Sequence, residues 1–198
     1  IIHFDGFDHQ YVVALDRSSG QTVWKSDRDV PYASDNGDYH KAYATPHVID
    51  VDGDLQLISP AAQAIESYDP RSGKRRWFVS YEEHSSAIRP LFNGSHIFIS
   101  TGFSKAKLLA IDPTGDGDVT KSKVVWESAK SIGSKPTPLL HAGHLYIVED
   151  RGVFSSLNVQ TGEIEWQKRL GGDFSASPIM ADGHIFAFDE HGQGYCIN

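Results

Sequence analysis

The sequence is poor in the features on which several protein classes depend. Its single cysteine, Cys196, excludes an internal disulfide. No apolar run approaches the roughly 20 residues that a membrane-spanning helix needs. The 18 lysine and arginine residues are outnumbered by 26 aspartate and glutamate residues, and the resulting net charge of −8 excludes the basic surface that nucleic acids require. With 39% hydrophobic residues, we expect a globular chain with no membrane span and no nucleic-acid partner.

All four tryptophans close copies of one short phrase. The copies read ALDRSSGQTVW, SYDPRSGKRRW, AIDPTGDGDVTKSKVVW and SLNVQTGEIEW, and they end at Trp24, Trp77, Trp126 and Trp166. In three copies an Asp or Asn stands eight positions before the Trp and a Gly stands four before it: Asp16 and Gly20, Asp69 and Gly73, Asn158 and Gly162. The remaining copy starts at Asp112 and is six residues longer. Intervals of 53, 49 and 40 residues between the tryptophans are typical of propeller repeats.

A second set of markers divides each repeat into four strands. Proline heads an apolar run at Pro46, Pro90, Pro138 and Pro178, where the first residue of a strand need not donate a ladder hydrogen bond. We name the strands A (led by Pro), B, C (ending at the Asp or Asn) and D (bearing the Trp). No window shows helical periodicity, so the sequence predicts an all-β chain built from four-stranded antiparallel blades.

The strand count predicts an open segment of a β-propeller. We expect whole blades at 44–77, 87–126 and 135–166, with three-stranded partial blades at 1–24 and 175–198. Such an arc leaves strand edges and blade faces uncovered, which water-soluble proteins avoid. We therefore expect a larger ring of seven or eight blades, closed by the rest of the propeller or by a second copy.

The phrase Ala14-x-Asp16-x-x-Ser19-Gly20-x-x-x-Trp24 and its three echoes resemble the tryptophan-docking motif of quinoprotein-dehydrogenase-like propellers, the pyrroloquinoline-quinone-repeat superfamily. The resemblance covers essentially the whole chain, and it is strongest to uncharacterised bacterial members. It implies that each Trp packs against the neighbouring blade. It also implies a periplasmic or extracellular location.

The resemblance leaves two functions open. The family's quinone enzymes hold their cofactor between a Trp and a vicinal disulfide and bind calcium beside it; this chain has one cysteine, and its tryptophans all occupy docking positions. No nucleophile elbow, phosphate loop or zinc-protease motif is present, and we assign no catalytic residue. We expect a non-catalytic module without a cofactor. The alternative is part of a pyrroloquinoline-quinone- and calcium-dependent oxidoreductase whose cofactor residues lie outside this segment.

Two acidic runs deserve comparison with calcium loops, because Ca²⁺ favours several carboxylate oxygens around a turn. The run from Asp50 to Asp54 has the pattern of a hairpin turn between strands A and B. Asp112, Asp116 and Asp118 lie in the copy that carries the six-residue insertion and are weak calcium candidates. Neither run has the spacing of an EF-hand loop.

The loops from strand D to the next strand A are the best candidates for binding. In a propeller they open on one face around the central channel, and aromatic and arginine side chains suit contacts with a partner. The first of these loops, 25–43, is long. The candidate residues are Arg28, Tyr39, His40, Lys41, Arg89, Lys135 and Phe174. The expected partner on this channel face is a protein, a carbohydrate or another small molecule.

Overall fold

The computed structural model describes all 198 residues as nineteen strands and one short 3-10 turn, Gly37–His40. The strands are β1 (Ile2–Asp5), β2 (Gln10–Leu15), β3 (Thr22–Asp27), β4 (His47–Val51), β5 (Asp54–Pro60), β6 (Ala64–Tyr68), β7 (Arg75–Ser80), β8 (Leu91–Phe92), β9 (Ile97–Ser100), β10 (Leu108–Ile111), β11 (Gly117–Asp118), β12 (Val124–Ser128), β13 (Leu139–His141), β14 (His144–Val148), β15 (Val153–Asn158), β16 (Ile164–Arg169), β17 (Ile179–Ala181), β18 (His184–Phe188) and β19 (Gly194–Ile197). No helical segment has the length and apolar character to cross a membrane.

The strands form five sheets that follow one another along the chain. Blade 1 is β1-β2-β3, blade 2 is β4-β5-β6-β7, blade 3 is β8-β9-β10-β12, blade 4 is β13-β14-β15-β16 and blade 5 is β17-β18-β19. Within each of these blades consecutive strands pair antiparallel. The predicted all-β fold, an open propeller segment of three whole and two partial blades, is confirmed.

The A–B turns show why these short sequences form hairpins. Asp52 and Gly53 both have positive φ, 52° and 85°, and the same holds at Ala142–Gly143 and Asp182–Gly183. Two successive positive φ angles define the type I′ turn, whose twist matches the flanking strands. The Asp50 carboxylate accepts a hydrogen bond from the Gly53 amide at 2.7 Å. The hairpin interpretation of the Asp50–Asp54 run is therefore confirmed.

A β-bulge precedes every tryptophan. The register between strands C and D shifts at Ala14/Leu15, Ser67/Tyr68, Ala110/Ile111 and Ser156/Leu157. Each shift leaves unpaired the residue just before the Trp: Val23, Arg76, Val125 and Glu165. A bulge bends the strand and re-aims the next side chain. The repeated phrase therefore encodes a bend in the outer strand, and the Trp is the residue that the bend directs.

The apolar core is divided among the seams, by which we mean the boundaries between adjoining blades. The seam between blades 2 and 3 holds the largest cluster, with ten buried residues that include Ile58, Trp77, Ile97 and Leu109. Seven residues fill the seam of blades 3 and 4, and five fill that of blades 4 and 5. At the seam of blades 1 and 2 only Val12, Leu57 and Tyr68 form such a cluster. Something other than apolar packing must therefore occupy that first seam.

The six-residue insertion forms a strand of its own, which the sequence did not predict. Gly117 and Asp118 form β11, which pairs in parallel with Trp77 and Phe78 on the outer edge of blade 2. The Val119 amide donates to the Phe78 carbonyl at 3.0 Å, and the Ser80 amide donates to Thr120 Oγ1 at 2.9 Å. The extra residues allow the C–D loop of blade 3 to reach across the seam. They give blade 2 a fifth strand.

Candidate binding face

Two tryptophans bind directly to the next blade. Trp24 Nε1 donates to the Pro70 carbonyl at 3.1 Å, and Trp126 Nε1 donates to the Val159 carbonyl at 3.0 Å. Each acceptor follows the Asp or Asn of the neighbouring repeat phrase. A Gly lies against each indole ring, Gly73 against Trp24 and Gly162 against Trp126, so closely that a Cβ atom would overlap the ring. The repeat thus supplies both halves of the contact.

The other two tryptophans differ from this pattern. Trp77 Nε1 donates to Gln56 Oε1 of its own blade at 3.0 Å, and Gln56 Nε2 donates onward to the Pro113 carbonyl of blade 3 at 3.2 Å. Trp166 is 38% exposed and stacks on Phe154 of its own blade, with ring centroids 5.6 Å apart. Trp77 therefore reaches the next blade through an amide, whereas Trp166 contacts its own sheet.

The Asp or Asn of each phrase organises the C–D turn. Asp16 and Asp69 accept backbone amides two and three residues ahead, and Asn158 and Asp112 accept the amide two residues ahead. Hydrogen bonds from the Ser72 and Arg71 amides lower the pKa of Asp69 to about 2. The amides of Gly20, Gly73 and Gly162 bond back to the carbonyls of Asp16, Asp69 and Asn158. These residues shape turns that carry the acceptor carbonyls.

Of the three candidate calcium ligands, Asp112 and Asp118 accept hydrogen bonds from protein groups, and Asp116 is exposed. Asp112 accepts hydrogen bonds from Thr114 and from Lys123 Nζ, the latter at 2.9 Å. Asp118 accepts the amide and the hydroxyl of Thr120, while Asp116 is exposed. No group of three or more His, Cys, Asp and Glu side chains has an arrangement that could hold a metal ion.

The loops between strands D and A form a connected face together with the B–C loops. The Tyr43 amide donates to the Ser86 carbonyl and the Ser85 amide to the Lys41 carbonyl, both at 2.8 Å. Farther along, the Phe103 amide donates to the His84 carbonyl at 2.8 Å. These bonds join the approach to blade 2 with both loops of blade 3. We call this surface the loop face.

Two of the candidate binding residues are inside the protein. Arg28 has no exposed side-chain surface, and Phe174 is fully buried in the apolar cluster of blades 4 and 5 with Phe154 and Ile185. Neither side chain offers surface to a partner. Both residues follow a D strand, as the sequence indicated. Arg28 is buried because it pairs with carboxylates, and Phe174 is buried because it packs in an apolar seam.

The other candidates lie at the surface of the loops. Tyr39 is exposed and meets His84 edge-on at 4.8 Å, while His40 stacks on Tyr32 with ring centroids 4.0 Å apart. Lys41 pairs with Asp38 at 2.6 Å. Farther along, Lys135 pairs with Glu190 at 3.0 Å, and Arg89 lies in a separate cleft beside the A strands of blades 3 to 5.

Two exposed aromatic residues on the loop face were missed by the sequence reasoning. Tyr43 is 61% exposed and Phe103 is 59% exposed. They flank a cleft of about 450 Å³, which we call the aromatic cleft; its other lining residues are Ser85, Ala87, Ser134, Lys135 and Asp150. Their positions in the sequence could have indicated that they lie on this face, because Tyr43 shortly precedes the Pro that opens strand A and Phe103 follows the strand B run. Residues from blades 2, 3 and 4 meet at this cleft.

A buried ionic network occupies the seam of blades 1 and 2, where the apolar cluster is small. Arg28 pairs with Asp5 at 2.6 Å and with Glu66 at 2.8 Å, and none of these three side chains is exposed. Arg75 adds a second arginine on Glu66 at 2.9 Å, and the Tyr68 hydroxyl donates to Glu66 at 2.6 Å. We call this set the ionic seam. Alignment of the repeats could have indicated this network, because Glu66 stands where the other repeats have Val, Leu or Ser.

The ionic seam and its burial shift the pKa values of Glu66 and of two side chains beside it. Burial opposes ionisation of the Glu66 carboxyl, but the Arg28 charge and hydrogen bonds from Tyr68, Arg28 and Arg75 prevail and lower its pKa. Burial lowers the pKa of His3, against the opposing effect of Asp5. Tyr32, at the edge of the set, has its pKa raised to about 12 by burial and by Asp5. The carboxylates of the ionic seam are paired with its arginines, which suits cohesion between blades.

Comparison with known proteins places the fold in context. A family model described as outer membrane protein assembly factor BamB matches residues 8–120 and 107–198. The chain is 21% identical over 160 residues to BamB of Yersinia pestis, covering 73% of this chain and 38% of that protein. The chain spans between 38% and 48% of the length of the BamB sequences that it matches.

Solved structures share the architecture. The crystal structure of BamB from Moraxella catarrhalis superimposes with a TM-score of 0.64 at 20% identity, covering 99% of this chain and 59% of that one. Quinohemoprotein alcohol dehydrogenase from Comamonas testosteroni gives a TM-score of 0.64 at 13% identity, covering 90% of this chain and 38% of that one. At these identities the likeness concerns the fold alone.

Proposed function

Because the chain belongs to the family described as outer membrane protein assembly factor BamB, we propose that it is a non-catalytic module that binds a protein partner on its loop face. The resemblance to quinone-repeat propellers that the sequence indicated is confirmed by this membership. The relatives are described as outer membrane protein assembly factors. By extension, we propose that this chain acts as a scaffold in the periplasm.

The observation that supports the proposal is the aromatic cleft. Tyr43 and Phe103 are mostly exposed to water, although both are large aromatic residues with much apolar area to bury. Exposed aromatic residues around a concavity are the groups that dominate binding energy in protein interfaces. The loops beneath them are joined by backbone hydrogen bonds of 2.8 Å, so the aromatic side chains sit on ordered chain. We propose a protein partner rather than a carbohydrate or other small ligand, because both side chains are largely exposed and are not enclosed in a pocket.

Site-specific photo-crosslinking in bacterial envelopes tests the proposal. A photoreactive amino acid placed at Tyr43 or Phe103 is expected to give discrete protein adducts. Val23 and Val125 serve as matched controls, because they are also exposed apolar residues but lie at the bulges of the outer strands. Adducts of equal yield at all four positions, or adducts from the control positions alone, would contradict a specific role for the loop face.

The quinone-dependent alternative has a direct test of its own. No cofactor is part of the proposal, and three of the four tryptophans donate their indole N–H to protein acceptors. Incubation with pyrroloquinoline quinone and calcium, followed by absorbance spectroscopy and dye reduction, is expected to show neither stoichiometric uptake nor turnover. Uptake with turnover would overturn the scaffold proposal.

A further inference from the structure

A second cavity lies on the opposite side of blade 3 from blade 4, at the seam with blade 2. Its volume is about 320 Å³, at the lower end of the range for small-molecule sites. One wall comes from the end of β7 in blade 2, and the other comes from strands β10 and β12 of blade 3. Thr120, at the end of the insertion, is also part of the lining. The cavity thus lies where the insertion crosses from one blade to the next.

The floor of the cavity is apolar and its position is fixed. Val79 and Leu109 are buried members of the core cluster at this seam, and Val124, which is partly exposed, packs against that cluster and offers apolar surface to the cavity. Thr120 is held in place because its hydroxyl accepts the Ser80 amide at 2.9 Å. An apolar group of a ligand would therefore meet a preformed surface and would remove its own area from water on binding.

The mouth of the cavity carries charges of both signs. Glu82 and Glu83 follow β7 on one side, and Lys105 and Lys107 stand on the other side in the B–C loop of blade 3. Lys107 is paired with Glu127 at 2.8 Å. Glu82, Glu83 and Lys105 form no salt bridge with any side chain, although all three line the same cavity. Two free carboxylates and one free ammonium group therefore surround one opening.

The backbone near these charges is anchored. The carbonyl of Glu83 accepts the Gln63 amide at 2.8 Å. The Thr101 amide donates to the Lys107 carbonyl at 2.9 Å, and the Lys107 amide donates to Thr101 Oγ1 at 2.9 Å. The backbone on each side of the mouth is therefore hydrogen-bonded, and a ligand would not have to order both loops first.

We propose that this cavity binds a small zwitterion with an apolar side chain, such as a free amino acid or a dipeptide. The ammonium group would meet Glu82 and Glu83, the carboxylate would meet Lys105, and the side chain would lie on the partly exposed Val124. A ligand with one charge would leave the opposite charge at the mouth without a partner. The mouth of this cavity lies on the loop face, but its lining does not include Tyr43 or Phe103, and the proposal does not depend on the partner-binding proposal.

Isothermal titration of the 198-residue chain with L-leucine, N-acetyl-L-leucine, L-leucine methyl ester and glycine tests the proposal. L-leucine is expected to bind, and each of the other three compounds is expected to bind about tenfold more weakly, because each lacks one of the three contacts. Titration with L-leucyl-L-leucine covers the dipeptide. Absence of binding by both L-leucine and the dipeptide at millimolar concentration would overturn the proposal.

Variants test which charged side chain binds each end of the ligand. K105Q is expected to weaken L-leucine binding about tenfold while leaving the methyl ester unchanged, and the double variant E82Q/E83Q is expected to weaken L-leucine but not N-acetyl-L-leucine. Lys74→Gln and Glu163→Gln are matched controls, since both residues are exposed and lie in C–D turns outside the cavity. Equal affinity of K105Q, E82Q/E83Q and the controls for L-leucine would contradict this site. Thermal unfolding of every variant establishes that the fold is intact.

Discussion

Arg28 and Asp5 form a bidentate ion pair from which solvent is fully excluded. Arg28 Nε lies 2.6 Å from Asp5 Oδ1, and Arg28 Nη2 lies 2.7 Å from Asp5 Oδ2. The same guanidinium donates to Glu66 of blade 2 through Nη1 at 2.8 Å. One arginine therefore joins a carboxylate of its own blade to a carboxylate of the next. The planar fork of arginine suits this role, and lysine would not reproduce it.

Arg28→Met is expected to destabilise the chain by about 3–5 kcal/mol. The substitution keeps much of the side-chain volume but leaves Asp5 without its only arginine and Glu66 with Arg75 alone, and breaking a buried pair strands an uncompensated charge. Urea unfolding measures the change. The exposed Arg17→Met serves as control and is expected to change the free energy of unfolding by less than about 0.5 kcal/mol. Equal midpoints for the two variants would show that the ionic seam contributes no stability.

Acid is expected to weaken the ionic seam through Glu66. Because the folded pKa of Glu66 lies below its ordinary value, its contribution to stability is complete above the unfolded pKa of about 4.3 and is lost as pH falls through the folded pKa. Glu66→Gln removes this contribution. The difference in unfolding free energy between the parent chain and E66Q should therefore shrink on acidification below about pH 4.3. A difference that stays constant over the acid range would refute the coupling.

Gly73→Ala is expected to cost more than Gly20→Ala, although the two positions have the same backbone conformation. Their φ angles are 73° and 71°, so each substitution brings about 1–2 kcal/mol of backbone strain. A Cβ atom at position 73 would also overlap the ring of Trp24, whereas nothing lies within 4 Å of one at position 20. Overpacking adds about 1–3 kcal/mol to Gly73→Ala. Denaturant unfolding of both variants measures the excess, and equal losses would contradict close docking of Trp24.

Trp126→Ala is expected to destabilise by about 3–5 kcal/mol, since its ring packs against Gly162 and its N–H binds the Val159 carbonyl. Trp126→Phe, which removes the hydrogen bond, should cost about 1 kcal/mol beyond the loss of ring area. Trp166→Ala should cost less than Trp126→Ala, because Trp166 is 38% exposed. A loss below about 1 kcal/mol for Trp126→Ala would contradict its docking role.

The repeat phrase made the architecture predictable, because strand order, hairpin turns and seam contacts are all local consequences of the same residues. Asp16, Gly20 and Trp24 form a turn, a left-handed backbone position and an indole donor within nine positions. The repetition of such a unit implies stacked blades. The departures come from residues that the copies of the phrase do not share. The pairing of β11 with β7 depends on where an insertion lands in space, which spacing along the chain does not express.

The candidate binding residues were harder to predict, because residue type does not tell which way a loop side chain turns. Arg28 and Tyr39 belong to the same loop, yet one is enclosed by carboxylates of two blades and the other is exposed. Arg28 is buried where it pairs with Glu66, which lies 38 residues away in the sequence. Such pairings are visible only once the blades are assembled.

The parallel strand β11 also decides where further strands can be added. A free outer strand presents unpaired amide and carbonyl groups that can recruit an extended segment of another chain. In blade 2 this edge is occupied at Trp77 and Phe78 by β11 and at Ser80 by Thr120. The corresponding edges of β3, β12 and β16 have no such cover. Blade 2 is therefore protected along this stretch from self-association and from capture of a peptide by strand addition.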